Sequence, residues 1–486
     1  MTIQDNRVAV SFTGVKGYPT STPYHPPEKY PEIPRDEVEP ENQVFAWVRE
    51  TLRNLDLDKE NFGTASWNPL KDIVKPGMTV FIKPSTVRHS HTEGKDVLSV
   101  IVHGSIIRAM LEYVCIAMKD EGRIIVGDSQ VVVGLFDETQ MAAGIDKVVE
   151  WHRAHSPIPI EHFDLRLSRS KRTWLYGKWG RKKIEHDPRG YQLVDLGNKS
   201  YFKDIDATKL RINCAPHQNM YKHHSNGRHE YLFPKSFLES DVIINLPKLK
   251  THRRTGVTLA LKNLMGLPAM KDSLPHWQNG CPEEGGDQYL HPSPRKRTCT
   301  KLDDIIQSNP HIPVKFVCAV VKKILWNSHR IIPFKDDYYE AMWYGNDTLW
   351  RTLLDLNRTA FYADKNGVIQ DTPQRGHFCL LDGILAGERD GPVSVDVVQA
   401  GVLIAGLNPV AVDCVGTSLM GFDIDKVPLV SKGIDDCEHT FPVFFGKRED
   451  IQVIDGPDVL SLSQFAERRN LRFEPHPNWK NHIEHD

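Results

Sequence analysis

Short apolar runs alternate along the chain with segments in which apolar residues recur every three or four positions. Thr79–Ile82 and Arg123–Val126 are runs of strand length, and Val242–Ile244 is a β-branched run of the same kind. Between the first two runs, the apolar residues from Ile106 to Met118 recur at the spacing of one face of an amphipathic helix. A strand, a helix and a strand in this order form a βαβ unit, and such units build parallel sheets. The pattern predicts an α/β protein with a mostly parallel sheet core flanked by helices.

The same patterns predict further elements and a division of the chain. Helices are expected at Thr139–His155, Val317–Trp326 and Asp347–Tyr362, strands at Ile158–Leu165 and Val402–Ala405, and a helix start at Asn408–Pro409. With 486 residues, a two-lobed chain with irregular insertions is the expectation. The predicted divisions are an N-terminal extension without a clear strand (1–70), a first α/β lobe (71–167), a basic and histidine-rich insertion (168–231), a second α/β lobe (232–440) with a loop insertion near 274–345, and a C-terminal tail (441–486).

The helix predicted at Val317–Trp326 combines apolar residues with the pair Lys322–Lys323. A partly buried helix is the favoured interpretation, and contact with a membrane surface is the alternative.

Composition excludes several classes of function. There are 61 basic and 63 acidic residues, whereas a dedicated nucleic-acid binder usually has a basic excess. No apolar run is long enough to span a bilayer, and the first residues lack the features of a signal peptide, so a cytoplasmic protein is expected. The eight cysteines include no C-x-x-C spacing, so no iron–sulfur cluster motif is present. The sequence does not indicate an oligomeric state.

The segment Asp241–Gly266 concentrates candidate chemistry. Its β-branched strand leads into a predicted turn with Lys248, Lys250 and His252, and a predicted short helix then holds Lys262. Open α/β sheets bind ligands at the carboxyl ends of their strands, and helix N-termini favour anions. The segment therefore predicts a site for a small anionic substrate.

Acidic candidates come from two other places. Asp382 follows an apolar strand and Glu388 lies in a glycine-bordered stretch, so both are expected to face the cations across a cleft between the lobes. Lys83 and Asp128 follow the first two predicted strands and are expected to join the site. Carboxylates beside histidines can hold a divalent metal, which makes such an ion a candidate cofactor. Asp413 is expected to pair with a core cation instead.

These segments resemble the domain-of-unknown-function 362 family from about Lys75 to Val430. The matching stretches are Ile82–Pro84, Gly127–Ser129, Asp241–Gly266, Asp347–Asp355, Leu380–Pro392, Gly401–Asp413 and Leu419–Gly421. Membership of this family does not itself imply an activity.

The same central segment is similar to the cofactor-bearing segment of the nickel-pincer lactate racemases. That resemblance implies that Lys262 would anchor a nickel-binding pyridinium nucleotide, His276 would ligate the metal and His252 would exchange a proton with the substrate. Leu259–Leu261 stands where the racemases have two glycines and an arginine.

The residues favour an enzyme that moves a proton or hydride on a small anionic metabolite or sugar acid, as an epimerase, racemase or oxidoreductase. The expected catalytic residues are His252, Lys262, Asp382 and Glu388, the substrate-binding residues are Lys83, Asp128, Lys248 and Lys250, and the metal ligand is His276. The alternative is a non-catalytic module of a larger assembly that binds an anion or a metallocofactor.

Overall fold

The computed structural model describes residues 3–171, 180–212 and 215–485. Within them it confirms a mixed α/β fold in which helices flank a large, mostly parallel central sheet. Two parts of the predicted basic insertion, residues 172–179 and 213–214, lie outside the described residues.

The strands are β1 (Arg7–Phe12), β2 (Thr79–Pro84), β3 (Arg123–Asp128), β4 (Ile160–Asp164), β5 (Ser168–Lys171), β6 (Gly180–Lys183), β7 (Tyr191–Asp195), β8 (Leu210–Arg211), β9 (Glu230–Pro234), β10 (Val242–Leu246), β11 (Lys248–His252), β12 (Gly256–Thr258), β13 (Trp277–Gln278), β14 (Gly376–Asp390), β15 (Ser394–Val398), β16 (Val402–Gly406), β17 (Gln452–Asp455) and β18 (Asp458–Ser461).

The helices are α1 (Gln43–Asn54), α2 (Gly104–Met118), α3 (Phe136–Ala143), α4 (Ile145–His155), α5 (His217–His223), α6 (Lys235–Leu238), α7 (Ala260–Asn263), α8 (Pro294–Ser308), α9 (Ile312–Asn327), α10 (Leu349–Tyr362), α11 (Pro409–Leu419), α12 (Pro428–Asp435) and α13 (Leu462–Arg468). No helix in the described ranges is long and apolar enough to cross a membrane.

The central sheet has the strand order β18–β17–β1–β16–β14–β10–β2–β3–β4. In addition, β11 and β15 pair with β14, and β12 pairs with β11. From β14 to β4 all neighbouring strands are parallel, so their carboxyl ends lie at one edge. Every residue of β2 and β10 is buried, as expected for parallel strands covered on both faces. The two predicted lobes and the tail all contribute strands to this sheet.

Several predicted elements are confirmed, among them β2, β3, α2, α10 and β16. The side chain of Asn408 caps α11 by accepting hydrogen bonds from the backbone N–H groups of Val410 and Ala411. The helix predicted at Thr139–His155 is instead two helices, because Gly144 adopts a left-handed conformation between them.

Other expectations were wrong. The N-terminal extension contains β1, which lies within the central sheet between β16 and β17. The predicted turn at Lys248–His252 is strand β11, and the chain forms strand β12 before the helix that holds Lys262. Helix α9, by contrast, agrees with the expectation of a partly buried helix, since six of its residues are half-buried and none is fully buried.

Candidate functional site

A cavity of about 330 Å³ lies at the carboxyl ends of the central parallel strands. From β2 the chain crosses through α2 to β3 on one side, and it later places β10 on the other side of β2. Open α/β sheets bind ligands at the point where the strand order reverses in this way. Six of the predicted site residues line the cavity: Lys83, Asp128, Lys250, His252, Lys262 and His276.

Strands β2 and β3 contribute an ion pair to the cavity wall. The Nζ atom of Lys83 lies 2.8 Å from a carboxylate oxygen of Asp128, and both side chains are buried. Asp128 also accepts hydrogen bonds from the backbone N–H (3.1 Å) and the hydroxyl (2.7 Å) of Thr86. Burial lowers the pKa of Lys83, against the opposing effect of Asp128. The carboxylate is therefore already satisfied by protein groups.

Because Gly266 has no side chain, the Lys83–Asp128 pair packs closely against the segment that follows α7. A Cβ atom at Gly266 would lie 2.1 Å from Asp128 Oδ1 and 2.6 Å from Lys83 Nζ. Both distances are far below van der Waals contact, so only glycine fits beside the pair in this arrangement.

The β11–β12 hairpin and α7 position the central candidates. The hairpin reverses before Gly256, whose φ of +74° favours glycine. At the start of α7, the carboxylate of Asp413 accepts the backbone N–H groups of Ala260 (2.6 Å) and Leu261 (3.2 Å). No ion pair of Asp413 with a described lysine or arginine is observed, so the predicted core ion pair was wrong and the residue instead anchors the helix that carries Lys262.

The hydrogen bonds of the two cavity histidines place the ring proton on different nitrogen atoms. His252 Nδ1 accepts the backbone N–H groups of Arg254 (3.1 Å) and Thr255 (3.2 Å), so the neutral ring carries its proton on Nε2. His276 Nδ1 lies 2.8 Å from the carbonyl oxygen of Leu274 and must donate to it, which leaves the lone pair on Nε2. Burial, with neighbouring cations, lowers the pKa of both rings well below the ordinary value. At neutral pH the cavity therefore offers one imidazole donor and one imidazole acceptor.

Three ammonium groups at the cavity have no carboxylate partner among the described residues. Lys250 Nζ donates to the carbonyl of Val100 at 2.5 Å, Lys262 Nζ lies 3.0 Å from the sulfur of Met265, and Lys271 Nζ donates to the Met265 carbonyl at 2.7 Å. Burial lowers the pKa of Lys262 and of Lys271 to about 7, and that of Lys250 well below its ordinary value. These groups lack the compensating charge that buried cations normally have.

Arginines add to the positive lining, and a few buried polar atoms have no partner. Arg88, Arg253 and Arg254 also line the cavity, whereas Asp128 is the one carboxylate in the lining among the described residues. Buried side-chain atoms of Gln130 (Oε1 and Nε2) and Thr258 (Oγ1) have no hydrogen-bond partner in the described part of the chain. Because buried polar groups are normally satisfied, these atoms are candidates to form hydrogen bonds with a polar ligand.

The remaining predicted residues lie outside the cavity lining. Lys248 Nζ is 3.0 Å from the carboxylate of Asp382, both side chains are fully buried, and the Tyr18 hydroxyl bonds to each of them. Asp382 is in the middle of β14 and not at a strand end. Glu388 is also within β14 and not in a loop, and it accepts the backbone N–H of Glu474 at 2.8 Å.

Sequence reasoning missed several lining residues. Gln130 lies two residues after Asp128, the last residue of β3, so the position of a strand end could have indicated it. Arg253 and Arg254 adjoin His252 at the end of β11, which was interpreted as a turn. Lys271 and Thr258 gave no comparable signal.

The described residues contain no cluster of three or more His, Cys, Asp or Glu side chains arranged to hold a metal ion. A metal bound at His276 would need further ligands from a cofactor or a substrate.

Comparison with known proteins agrees with the resemblance seen in the sequence. A family model described as "Domain of unknown function (DUF362)" matches residues 196–418, which include β10, β11, α7, β14 and β16. No curated protein and no solved structure matches the chain. Through residues 196–418, the chain is similar to the domain-of-unknown-function 362 family.

Proposed function

We propose that the chain is an enzyme that binds a small carboxylate-bearing metabolite in this cavity and moves a proton at the carbon beside the carboxylate. The observation that carries the proposal is the imbalance of the lining, in which the ammonium groups of Lys250, Lys262 and Lys271 lack carboxylate partners among the described residues. An anionic ligand would supply the missing negative charge. Other polar groups of the ligand would form hydrogen bonds with the unpaired side-chain atoms of Gln130 and Thr258.

The histidines support proton transfer as the reaction type. In the proposed step, His276 Nε2 takes the proton from the carbon beside the carboxylate, and the electron pair of the broken C–H bond moves into the resulting enediolate. The Nε2–H group of His252 and the ammonium of Lys262 stabilise the charge that develops on oxygen. Return of the proton from His276 to the same face regenerates the substrate. Donation of a proton by the ammonium of Lys262 to the opposite face gives the epimer, after which exchange with water restores the proton on Lys262 and removes that on His276.

Deuterium exchange tests the proposal even though the substrate has not been identified. A panel of 2-hydroxy acids and sugar acids is incubated with the protein in deuterium oxide, and incorporation at the carbon beside the carboxylate is followed by mass spectrometry. Loss of a general acid–base group costs roughly 10² to 10⁴ in rate, so His276→Gln should lose exchange by that factor. Loss of a donor that stabilises developing charge on oxygen costs roughly 10² to 10³, which is the loss expected of His252→Gln. The matched control is His186→Gln, an exposed histidine outside the cavity.

Exchange that survives both cavity substitutions would contradict the proposed step. A protein that binds an acid from the panel with affinity unchanged in His252→Gln, and exchanges no proton, would instead be the non-catalytic anion-binding module.

A metallocofactor-dependent enzyme is the second candidate, and one observation favours it. Lys262 Nζ has only the sulfur of Met265 within hydrogen-bonding distance among the described residues, which suits a lysine that carries a covalent group. His276, whose Nδ1–H is held by a carbonyl, has the arrangement typical of a metal-ligating histidine. A nickel-binding pyridinium nucleotide joined to Lys262 would supply hydride chemistry, and the basic lining would suit its phosphate.

Intact mass and elemental analysis test this candidate directly. Protein from a host that makes the cofactor should carry a covalent adduct and nickel, and Lys262→Met should lose both, whereas Lys222→Met, which changes an exposed lysine, should keep both. Unmodified protein without nickel from such a host would refute this candidate and leave the proton-transfer proposal standing.

A further inference from the structure

The helical hairpin formed by α8 and α9 exposes an apolar surface. More than half of the exposed large hydrophobic side chains in the described part of the chain fall between residues 305 and 332. They are Ile305, Ile312, Val314, Phe316, Val317, Val320, Val321, Ile324, Ile331 and Ile332. Monomeric proteins rarely expose a contiguous apolar patch of this kind unless it binds a partner or a membrane.

Helix α9 is oriented with its apolar side outward. Ile312 and Ile324 are 62% and 64% exposed, and Ile331, just beyond the helix, is 85% exposed. The side toward α8 carries Lys322, whose ammonium lies 2.6 Å from the carboxylate of Asp303. A helix that packs on a protein core normally turns its large apolar side chains inward, whereas seven of those on α9 are exposed.

The lysine, arginine, aspartate and glutamate residues within 305–335 have one sign, although Asp303 and Asp304 lie on α8. Residues 305–335 contain Lys315, Lys322, Lys323, Arg330 and Lys335 but no aspartate or glutamate. The chain as a whole has nearly equal numbers of basic and acidic residues, so the segment departs strongly from its surroundings. An apolar face bordered by basic residues is the pattern of a helix that lies in the surface of an anionic bilayer.

We propose that the α8–α9 hairpin and residues 328–335 dock the protein on an anionic phospholipid surface. Ile312, Ile324 and Ile331 would enter the acyl boundary, while Lys323 and Arg330 would contact the lipid phosphates. The half-buried Trp326, whose ring centroid lies 5.2 Å from that of Phe334, would lie at the depth where aromatic side chains are favoured. A second copy of the chain fits this surface less well, because a symmetric contact would bring two sets of basic residues together.

This docking does not require a membrane-spanning helix, and it is independent of the chemistry at the cavity. The interfacial mode depends on the apolar side of α9 and on electrostatic attraction, both of which fall within residues 305–335.

Vesicle flotation of the full chain tests the proposal. Vesicles of phosphatidylcholine alone are compared with vesicles of phosphatidylcholine and phosphatidylglycerol in equal parts. The protein should float with the anionic vesicles and should partition several-fold less to the neutral ones, because each basic residue near an anionic surface contributes about fivefold in affinity. Added salt should weaken the binding.

Two substitutions with a matched control identify the surface. Ile324→Asp and Ile331→Asp should each reduce partitioning by about tenfold or more, since each removes a large side chain from the acyl boundary. Met141→Asp introduces the same charge at an equally exposed apolar residue (67%) on α3 and should bind like the wild type. Lys323→Gln with Arg330→Gln should reduce the preference for anionic vesicles and keep the fold.

Three results would overturn the proposal. They are absence of flotation with anionic vesicles, flotation that is unchanged by Ile324→Asp and Ile331→Asp, and an equal loss in Met141→Asp. A wild-type dimer in sedimentation experiments that becomes a monomer on Ile324→Asp, without vesicle binding, would show that the surface joins two copies instead.

Discussion

Replacement of Lys262 by methionine should stabilise the protein at neutral pH. Burial, together with Arg254 and Lys83, lowers the pKa of Lys262 from 10.5 to about 7. The unfolded chain keeps the higher pKa, so between these two values it binds more protons than the folded chain does. The free energy of unfolding therefore rises with pH through this window, and the cost of the charged ammonium is complete below about pH 7.

The expected size of the stabilisation follows from the lowered pKa of Lys262. Because each factor of ten in proton affinity corresponds to about 1.4 kcal/mol, charging Lys262 would cost the folded state about 4 to 5 kcal/mol in a fully dry site. The side chain is only partly buried and ends in a cavity, so water reduces this cost to about 1 to 3 kcal/mol. Methionine has a similar shape and removes the charge, and should recover that free energy.

Urea unfolding followed by tryptophan fluorescence provides the assay, on protein shown by intact mass to carry no adduct. Lys262→Met should raise the unfolding midpoint near pH 7, and the gain should shrink toward zero near pH 10, where the wild-type lysine is neutral in both states. Lys222→Met, at an exposed lysine, should change little at any pH. Destabilisation by Lys262→Met, or a gain that does not depend on pH, would refute the reasoning.

Three further substitutions probe how the cavity wall is built. Gly266→Ala should destabilise by about 1 to 3 kcal/mol in thermal unfolding and disrupt the Lys83–Asp128 pair, whereas Gly17→Ala, where a Cβ would have no atom within 4 Å, should not. Asp128→Asn should lower the free energy of unfolding by about 3 to 5 kcal/mol, because Lys83 is left buried and unpaired. Adding Lys83→Met should recover most of this loss, and additive losses in the double variant would contradict the reasoning. Asp413→Ala should cost about 2 kcal/mol or more by leaving two buried N–H groups at the start of α7 unsatisfied, and an unchanged urea midpoint would contradict the anchoring role.

The sheet was predictable where hydrophobic runs are buried on both faces, as in β2 and β10. Strand β11 was missed, although Lys248, Lys250 and His252 alternate with Leu249 and Thr251 at the period of a strand. The polar members of this alternation are buried too, so the sequence lacked the usual contrast between an apolar and a polar face.

Glycines misled the prediction around Asp382 and Glu388. They suggested a loop from Gly387 to Gly391, yet β14 continues through Asp382 and Glu388 and ends only at Asp390. A Cβ at Gly387 would lie 2.6 Å from a side-chain atom of Val395, and one at Gly391 would lie 1.8 Å from the Thr251 carbonyl oxygen. These glycines permit close packing of neighbouring backbones, which local sequence patterns do not distinguish from a turn.

Site residues could be predicted from the sequence where they lie at the ends of parallel strands. Lys83 and Asp128 follow apolar runs directly, and both line the cavity. The hydrogen bonds that set the proton positions of His252 and His276 depend on backbone groups beside each ring, and spacing alone did not reveal them.

The position of β1 has a consequence for how the polypeptide reaches its native state. A backbone hydrogen bond at the end of this strand, between Thr13 and Gly401, closes a loop of 388 residues, and the other neighbour of β1 is β17 near the tail. During synthesis on the ribosome, β1 cannot pair until β16 and β17 have emerged, so its backbone donors and acceptors stay unpaired until then. Pairings of such long range form slowly and leave aggregation-prone edges exposed, so we expect molecular chaperones to aid the nascent chain until β16 and β17 enclose β1.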